Sequence, residues 1–151
     1  MKLYKIESKQ EVPISLEKCW AFFSDPNNLK EITPDGMGFA IIDGKPDQMY
    51  PGQIIQYFVK PVLGIKLRWV TEITQVKDHA FFIDEQRFGP YKFWHHKHFF
   101  KATENGVEMI DIVHYGLPFG FLGRIANTLF VKHKLKQIFA YRHKKVEELF
   151  G

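Results

Sequence analysis

Between Asp84 and Tyr115 the chain reads DEQRFGPYKFWHHKHFFKATENGVEMIDIVHY, and this run limits the architectures open to it. It divides into three extended segments. The first ends at Phe88 and is broken by Gly89-Pro90; the second runs from Tyr91 to about Ala102. Glu104-Asn105-Gly106 predicts a hairpin turn, because Asn-Gly readily takes the positive φ angles a tight turn needs. The third segment runs from Val107 to Tyr115. Side chains of a strand alternate between faces, so Trp94, His96, His98 and Phe100 share one face, and Phe93, His95, Lys97 and Phe99 the other. A plain half-buried strand separates apolar from charged residues. Here one aromatic face also carries two imidazoles, which suits the lining of a cavity better than a dry core.

The rest of the chain supplies the walls around that face. Leu3 to Val12 predicts a first strand, with Leu3, Tyr4 and Ile6 directed to the core, stopped by Pro13. Ser15 is an N-cap for a helix over Leu16 to Phe23, with Glu17 complementing the helix dipole. Asp25-Pro26 restarts a brief second helix carrying Leu29 and Ile32. Strands follow over Met37–Asp43, Gln53–Lys60, Lys66–Lys77 and His79–Phe88. They are separated by turn signals at Gly44–Asp47, Pro51-Gly52, Pro61–Gly64 and Lys77-Asp78. Short turns between successive strands predict an antiparallel meander. From Phe121 to Phe150 there is no Pro and only one Gly, Gly123. Leu122, Ile125, Ala126 and Leu129 mark a helical stripe, continued by Leu135, Ile138, Phe139, Arg142, Val146 and Leu149. Some 28 helical residues span about 42 Å at the standard rise, and such a helix needs a sheet to lie against.

The predicted fold class is therefore α+β, a single domain over residues 1–151. A curved antiparallel sheet of about six to seven strands wraps a long C-terminal helix, with two short helices after the first strand. The order and the motifs resemble the helix-grip fold of the START-like, or SRPBCC, superfamily. Within it, a subgroup of ligand-binding or cyclase/dehydrase-like proteins carries an acidic-x-Gln before Gly-Pro-Tyr, a Trp-His-x-x-His core and an Asp-x-x-x-Tyr strand. The matching residues here are Asp84 and Gln86, Gly89-Pro90-Tyr91, Trp94-His95 and His98, and Asp111 with Tyr115. The resemblance implies a fold and a pocket; since members range from carriers to cyclases, it names no substrate.

Several functions are disfavoured by residue content. No Gly-rich loop opens a helix, so no nucleotide cofactor is expected. The three serines, Ser8, Ser15 and Ser24, lie far along the chain from the histidines and lack a nucleophile-elbow setting. Cys19, the only cysteine, excludes an internal disulfide and reads as a small buried apolar residue. MKLYKIESK lacks the apolar run of a signal peptide, which leads to the expectation of a cytoplasmic protein. From Phe121 to Gly151 seven Lys or Arg stand against two Glu, a local charge of +5 within a total of +4. No nucleic-acid reader motif accompanies those charges. A solvated face or transient membrane contact, with Phe119, Phe121 and Leu122 ahead of Arg124, accounts for them better. A monomer or weak homodimer is expected.

The site expected from these segments is a cavity between sheet and helix that holds a small, largely hydrophobic molecule. Trp69, Phe82, Trp94, Phe100 and Tyr115 would form walls; Asp84, Gln86, His96, His98 and Asp111 would anchor polar groups. Leu122, Ile125, Ala126 and Leu129 would line the helix side. A buried hydrogen-bond network that fixes strand register explains the same polar residues, since an unpartnered buried polar group costs about 1–3 kcal/mol. Acid/base catalysis of a cyclase, aromatase or dehydratase kind would use an Asp111–His98 or Asp84–His96 pair. A lipid- or quinone-handling accessory protein is a third possibility. His96-x-His98 with one carboxylate has the makings of a metal site, but the motif alone specifies none and no metal is expected.

Overall fold

A computed structural model describes residues 1–60 and 64–151, so the predicted turn at Pro61–Gly64 lies, apart from Gly64, outside the described residues. Seven strands form one antiparallel sheet: β1 (Tyr4–Val12), β2 (Ala40–Ile41), β3 (Gln53–Val59), β4 (Leu67–Lys77), β5 (Phe81–Phe88), β6 (Phe93–Thr103) and β7 (Gly106–Gly116). The spatial order is β1-β7-β6-β5-β4-β3-β2, so β1 pairs with the last strand and the remainder is a meander. Helix α1 (Leu16–Phe23) and a 3-10 segment (Pro26–Ile32) follow β1. The chain ends in α2 (Gly120–Ala126), a π-helical turn (Asn127–Val131) and α3 (Lys132–Phe150).

Local chemistry accounts for most boundaries. Ser15 Oγ accepts from the Lys18 amide at 3.2 Å, and Asp25 Oδ1 accepts from that of Asn27 at 3.0 Å. Pro26-Asn27-Asn28 is poor in helix formers, and the second helix is 3-10 rather than α. The strand predicted over Met37–Asp43 shrinks to Ala40–Ile41, preceded by a 3-10 turn at Asp35–Met37 that Gly38 ends in the left-handed conformation, φ 56°. Leu3 is exposed, correcting its expected core role, while Tyr4 and Ile6 are half-buried beneath α3.

The β6–β7 hairpin forms where predicted but with different turn chemistry. Thr103 pairs with Gly106, leaving Glu104-Asn105 at the tip, and Asn105 keeps a negative φ. Only Gly106 is positive, at 148°, and a Cβ there would sit 2.0 Å from the Val12 carbonyl oxygen. Both strain and collision oppose a side chain, so Gly106→Ala is expected to lower the unfolding free energy by more than about 1 kcal/mol, read from urea denaturation.

Curvature comes from β4–β5, where the register slips between Val70 and Thr71 and between Ile73 and Gln75. Bulges of this kind bend a strand and increase its twist. The concave face divides into two environments. At one end Val12, Cys19, Trp20, Phe23, Phe82, Phe100 and Val146 pack solidly, each large side chain contributing roughly 1.5–3 kcal/mol. Burial there pushes the Cys19 thiol up to about 12, against the pull of the Arg142 charge. Cys19 is therefore expected to resist thiol reagents until the protein unfolds, as a timed labelling assay with and without urea would record. Towards the other end α3 stands off the sheet.

Candidate functional site

Space between α3 and the curved sheet forms a cavity of about 410 Å³, within the range of small-molecule sites. Its wall is largely apolar: Ile55, Val59, Trp69 and Ile73 from the sheet, Leu29 and Ile32 from the 3-10 segment, and Leu135, Ile138 and Phe139 from α3. The exposed lining residues, Ile65 and Lys134, mark where the cavity meets solvent. At its floor lie His96, His98, Asp84 and Arg142.

Strand register assembles that floor. Asp84 lies opposite His96 across β5–β6, and His98 opposite Asp111 across β6–β7, all on the concave face. The sequence suggests bonding between these directly opposite residues, but the hydrogen bonds run diagonally. His96 Nε2 bonds Asp111 Oδ1 at 2.8 Å, and His98 Nε2 bonds Asp84 Oδ2 at 2.6 Å. The opposite pairs are close but unaligned, with His98 Nδ1 3.1 Å from Asp111 Oδ1 and His96 Nδ1 3.5 Å from Asp84 Oδ2. Diagonal neighbours lie within reach of long side chains, and here the two imidazoles stack with centroids 3.6 Å apart, turning their edges to the diagonal acids. Trp94 Nε1 donates to Asp84 Oδ1 at 3.3 Å, and Phe82 covers the far face of His98 at 4.0 Å.

Charge in this cluster is balanced. Burial alone would raise the Asp111 carboxyl, but Arg142, 3.5 Å away, and both histidines hold it well below its usual range. Asp84 is lowered as well, the histidines overcoming its burial. His98, although buried, is raised by the two carboxylates that flank it. His96 is lowered, first by burial and then by the charge on His98. The shifts therefore favour the charged forms of Asp84, Asp111 and His98 and the neutral form of His96. Such a group can hold a proton on His98 and present Asp84 as an acceptor at the cavity wall. Asp84, His96 and His98 offer three metal-ligating atoms within 4.8 Å of one another. A cation taking His96 Nε2, His98 Nε2 or either Asp84 oxygen would have to displace a hydrogen bond, whereas buried His98 Nδ1 has no hydrogen-bond partner among the described residues.

Of the residues proposed from the sequence, Trp69, Phe82, Asp84, Trp94, His96 and His98 line the cavity. Asp111 stands behind the histidines, buried, and reaches the cavity through them. The other expected positions serve elsewhere. Gln86 clamps the β5–β6 turn, its Nε2 donating to the Tyr91 carbonyl at 2.6 Å and its Oε1 accepting from the Tyr91 amide at 3.0 Å. Phe100 packs against Trp20 in the solid core. Tyr115 is buried beneath Tyr4 and donates to Asn127 Oδ1 at 2.6 Å, tying β7 to the π-turn. Leu122, Ile125 and Leu129 point to solvent and Ala126 is half-buried; none of the four lines the cavity.

That last correction has a specific cause. Gly123, Asn127, Val131 and Leu135 turn inward at successive four-residue steps, and an α-helix of 3.6 residues per turn drifts off its face at that spacing. The wider π-turn absorbs the drift. The inward face therefore follows small and polar residues rather than the Leu/Ile stripe. Arg142, Tyr57, Tyr91 and Phe39 complete the site and were not singled out as site residues in the sequence. For Arg142 the signal was its place in the apolar stripe of α3.

Curved sheet, flanking short helices and terminal helix define a helix-grip fold. Solved structures of the same shape include protein CV1439 from Chromobacterium violaceum, with TM-score 0.73, 13% identity, and 97% of each chain covered. Protein Ms6760 from Mycobacterium smegmatis gives 0.68 at 14% identity, covering 99% of this chain and 96% of that one. Ara h 8.0201 gives 0.67 at 14% identity, covering 98% and 97%. At such identities the likeness is one of fold. No family model matches the chain, and no curated protein matches it in sequence.

Proposed function

We propose that the protein binds a small, largely apolar molecule carrying a hydrogen-bonding oxygen, as its resemblance to ligand-binding SRPBCC proteins implies. The observation that carries this reading is the cavity of about 410 Å³ with an apolar wall and one ionised corner. Trp69 sharpens it. Its indole N–H is buried among the lining residues with no hydrogen-bond partner among the described residues, and an indole nitrogen can only donate. A ligand oxygen would satisfy it, while the apolar body replaces water against Ile55, Ile138 and Phe139. Titration with a naphthalene-based fluorescent probe, followed through Trp69 and Trp94 emission, tests the reading. Saturable one-to-one binding is expected; emission that never saturates would remove it.

A second reading, an enzyme of the cyclase or dehydratase kind, is favoured by one observation: His98 lies between two carboxylates at the cavity wall. Such a group has the orientation required of a general acid. His98→Gln would separate the two. Under the binding reading alone it changes probe affinity and no reaction is lost; under the enzyme reading it abolishes turnover of a bound compound.

A further inference from the structure

We infer that α2 and the π-turn form a docking surface for an anionic lipid bilayer, which delivers the cavity mouth to the membrane. Phe119, Phe121, Leu122, Ile125, Leu129 and Phe130 are 80%, 62%, 58%, 49%, 58% and 63% exposed. They occur within twelve consecutive residues, and an exposed apolar patch of that density marks an interaction site. Phe119 is held at φ 69° with its ring in solvent. A bulky side chain in the left-handed region is a strained arrangement, and packing within the chain does not compensate for it here.

Charge selects the occupant. From Ile112 to Val146 there is no Asp or Glu, whereas Arg124, Lys132, Lys134 and Lys136 are all exposed on or beside the patch. Apolar side chains that enter the acyl boundary beneath a rim of cations are the pattern of a helix lying in the bilayer interface. Each cation near an anionic surface adds to the attraction. A second copy of this chain would bring the same cations face to face. None of the helices among the described residues is long and apolar enough to cross a membrane, so the contact is with the surface. Val131 and Lys134 line the cavity immediately after the patch, and Leu117 lines it immediately before. A bilayer covering the patch would lie against the opening, where an apolar molecule could pass without crossing water.

Vesicle flotation with the full chain tests the inference, independently of whether the cavity holds a ligand. The probes are vesicles of phosphatidylcholine alone and vesicles with about one third phosphatidylglycerol. The protein should float with the anionic vesicles, and binding should weaken as salt rises from about 0.1 M to about 1 M. Phe121→Ser/Leu122→Ser/Phe130→Ser and Lys132→Glu/Lys136→Glu should each weaken it by about tenfold or more. Thermal unfolding of both variants should match the parent, since all five side chains are exposed. Failure to float with either vesicle, or flotation that neither variant reduces, overturns the inference. So does a parent dimer that the serine variant converts to monomer while vesicles are ignored, which would assign the patch to self-association.

Discussion

Replacing Asp111 by Asn is expected to lower the unfolding free energy by about 3–5 kcal/mol, the usual effect of removing one partner from a buried ionic group. Asp111 is 7% exposed, is hydrogen-bonded to His96 and lies at ion-pair distance from His98 and Arg142. Without its charge, Arg142 and the two histidines lose the carboxylate beside them, and Asp84 is left as the acid of the cluster. The pH dependence supplies a second signature. Because its folded pKa is depressed, Asp111 contributes stability that is fully present above its ordinary value near 3.8 and is lost as pH falls through the folded value. The Asn variant should therefore show a shallower acid limb. His98 acts with the opposite sign: its raised pKa contributes stability that is present below its ordinary 6.5 and is lost as pH rises through the folded value. Urea denaturation across pH resolves both. A loss under about 1 kcal/mol with an unchanged acid limb would mean that the acids act independently of the cluster.

Ile138→Trp should separate binding from stability. Ile138 projects from α3 into the cavity. Enlarging a side chain in a close-packed core usually costs about 1–3 kcal/mol. Entering open space, the indole should change stability by less than about 1 kcal/mol while weakening probe binding by about tenfold or more. The same exchange at Val146, fully buried against Trp20 and Phe23 in the solid end of the concave face, should destabilise strongly. Denaturation and probe titration of the two variants side by side make the comparison. Equal destabilisation at both positions would indicate that no usable space exists beside Ile138.

Much of this architecture was legible in the sequence because strand alternation and turn residues are local signals. The face shared by Trp94, His96 and His98 and the long terminal helix follow from periodicity, and the β6–β7 hairpin from the Asn105-Gly106 turn signal. Asp84 and Asp111 were legible as partners because register places them opposite the two histidines. The diagonal bonding was not, since it depends on how two stacked rings turn. The helix face was misread for a related reason. A Leu/Ile stripe at α-helical spacing normally marks the buried side, but the π-turn at Asn127–Val131 shifts the inward face to Gly123, Asn127 and Val131. Apolar residues that the pattern assigned to the cavity are thereby left in solvent. Gln86 was expected to anchor a ligand's polar group and Tyr115 to form a cavity wall, yet they bond a turn backbone and Asn127 instead.

Native mass spectrometry of the protein purified from cells and exposed to a total lipid extract tests the central claim most directly. One adduct per chain, of small-molecule mass, is expected, and Ile138→Trp should eliminate it. Bare protein under all conditions, or an adduct that the Ile138→Trp variant keeps, would contradict that claim.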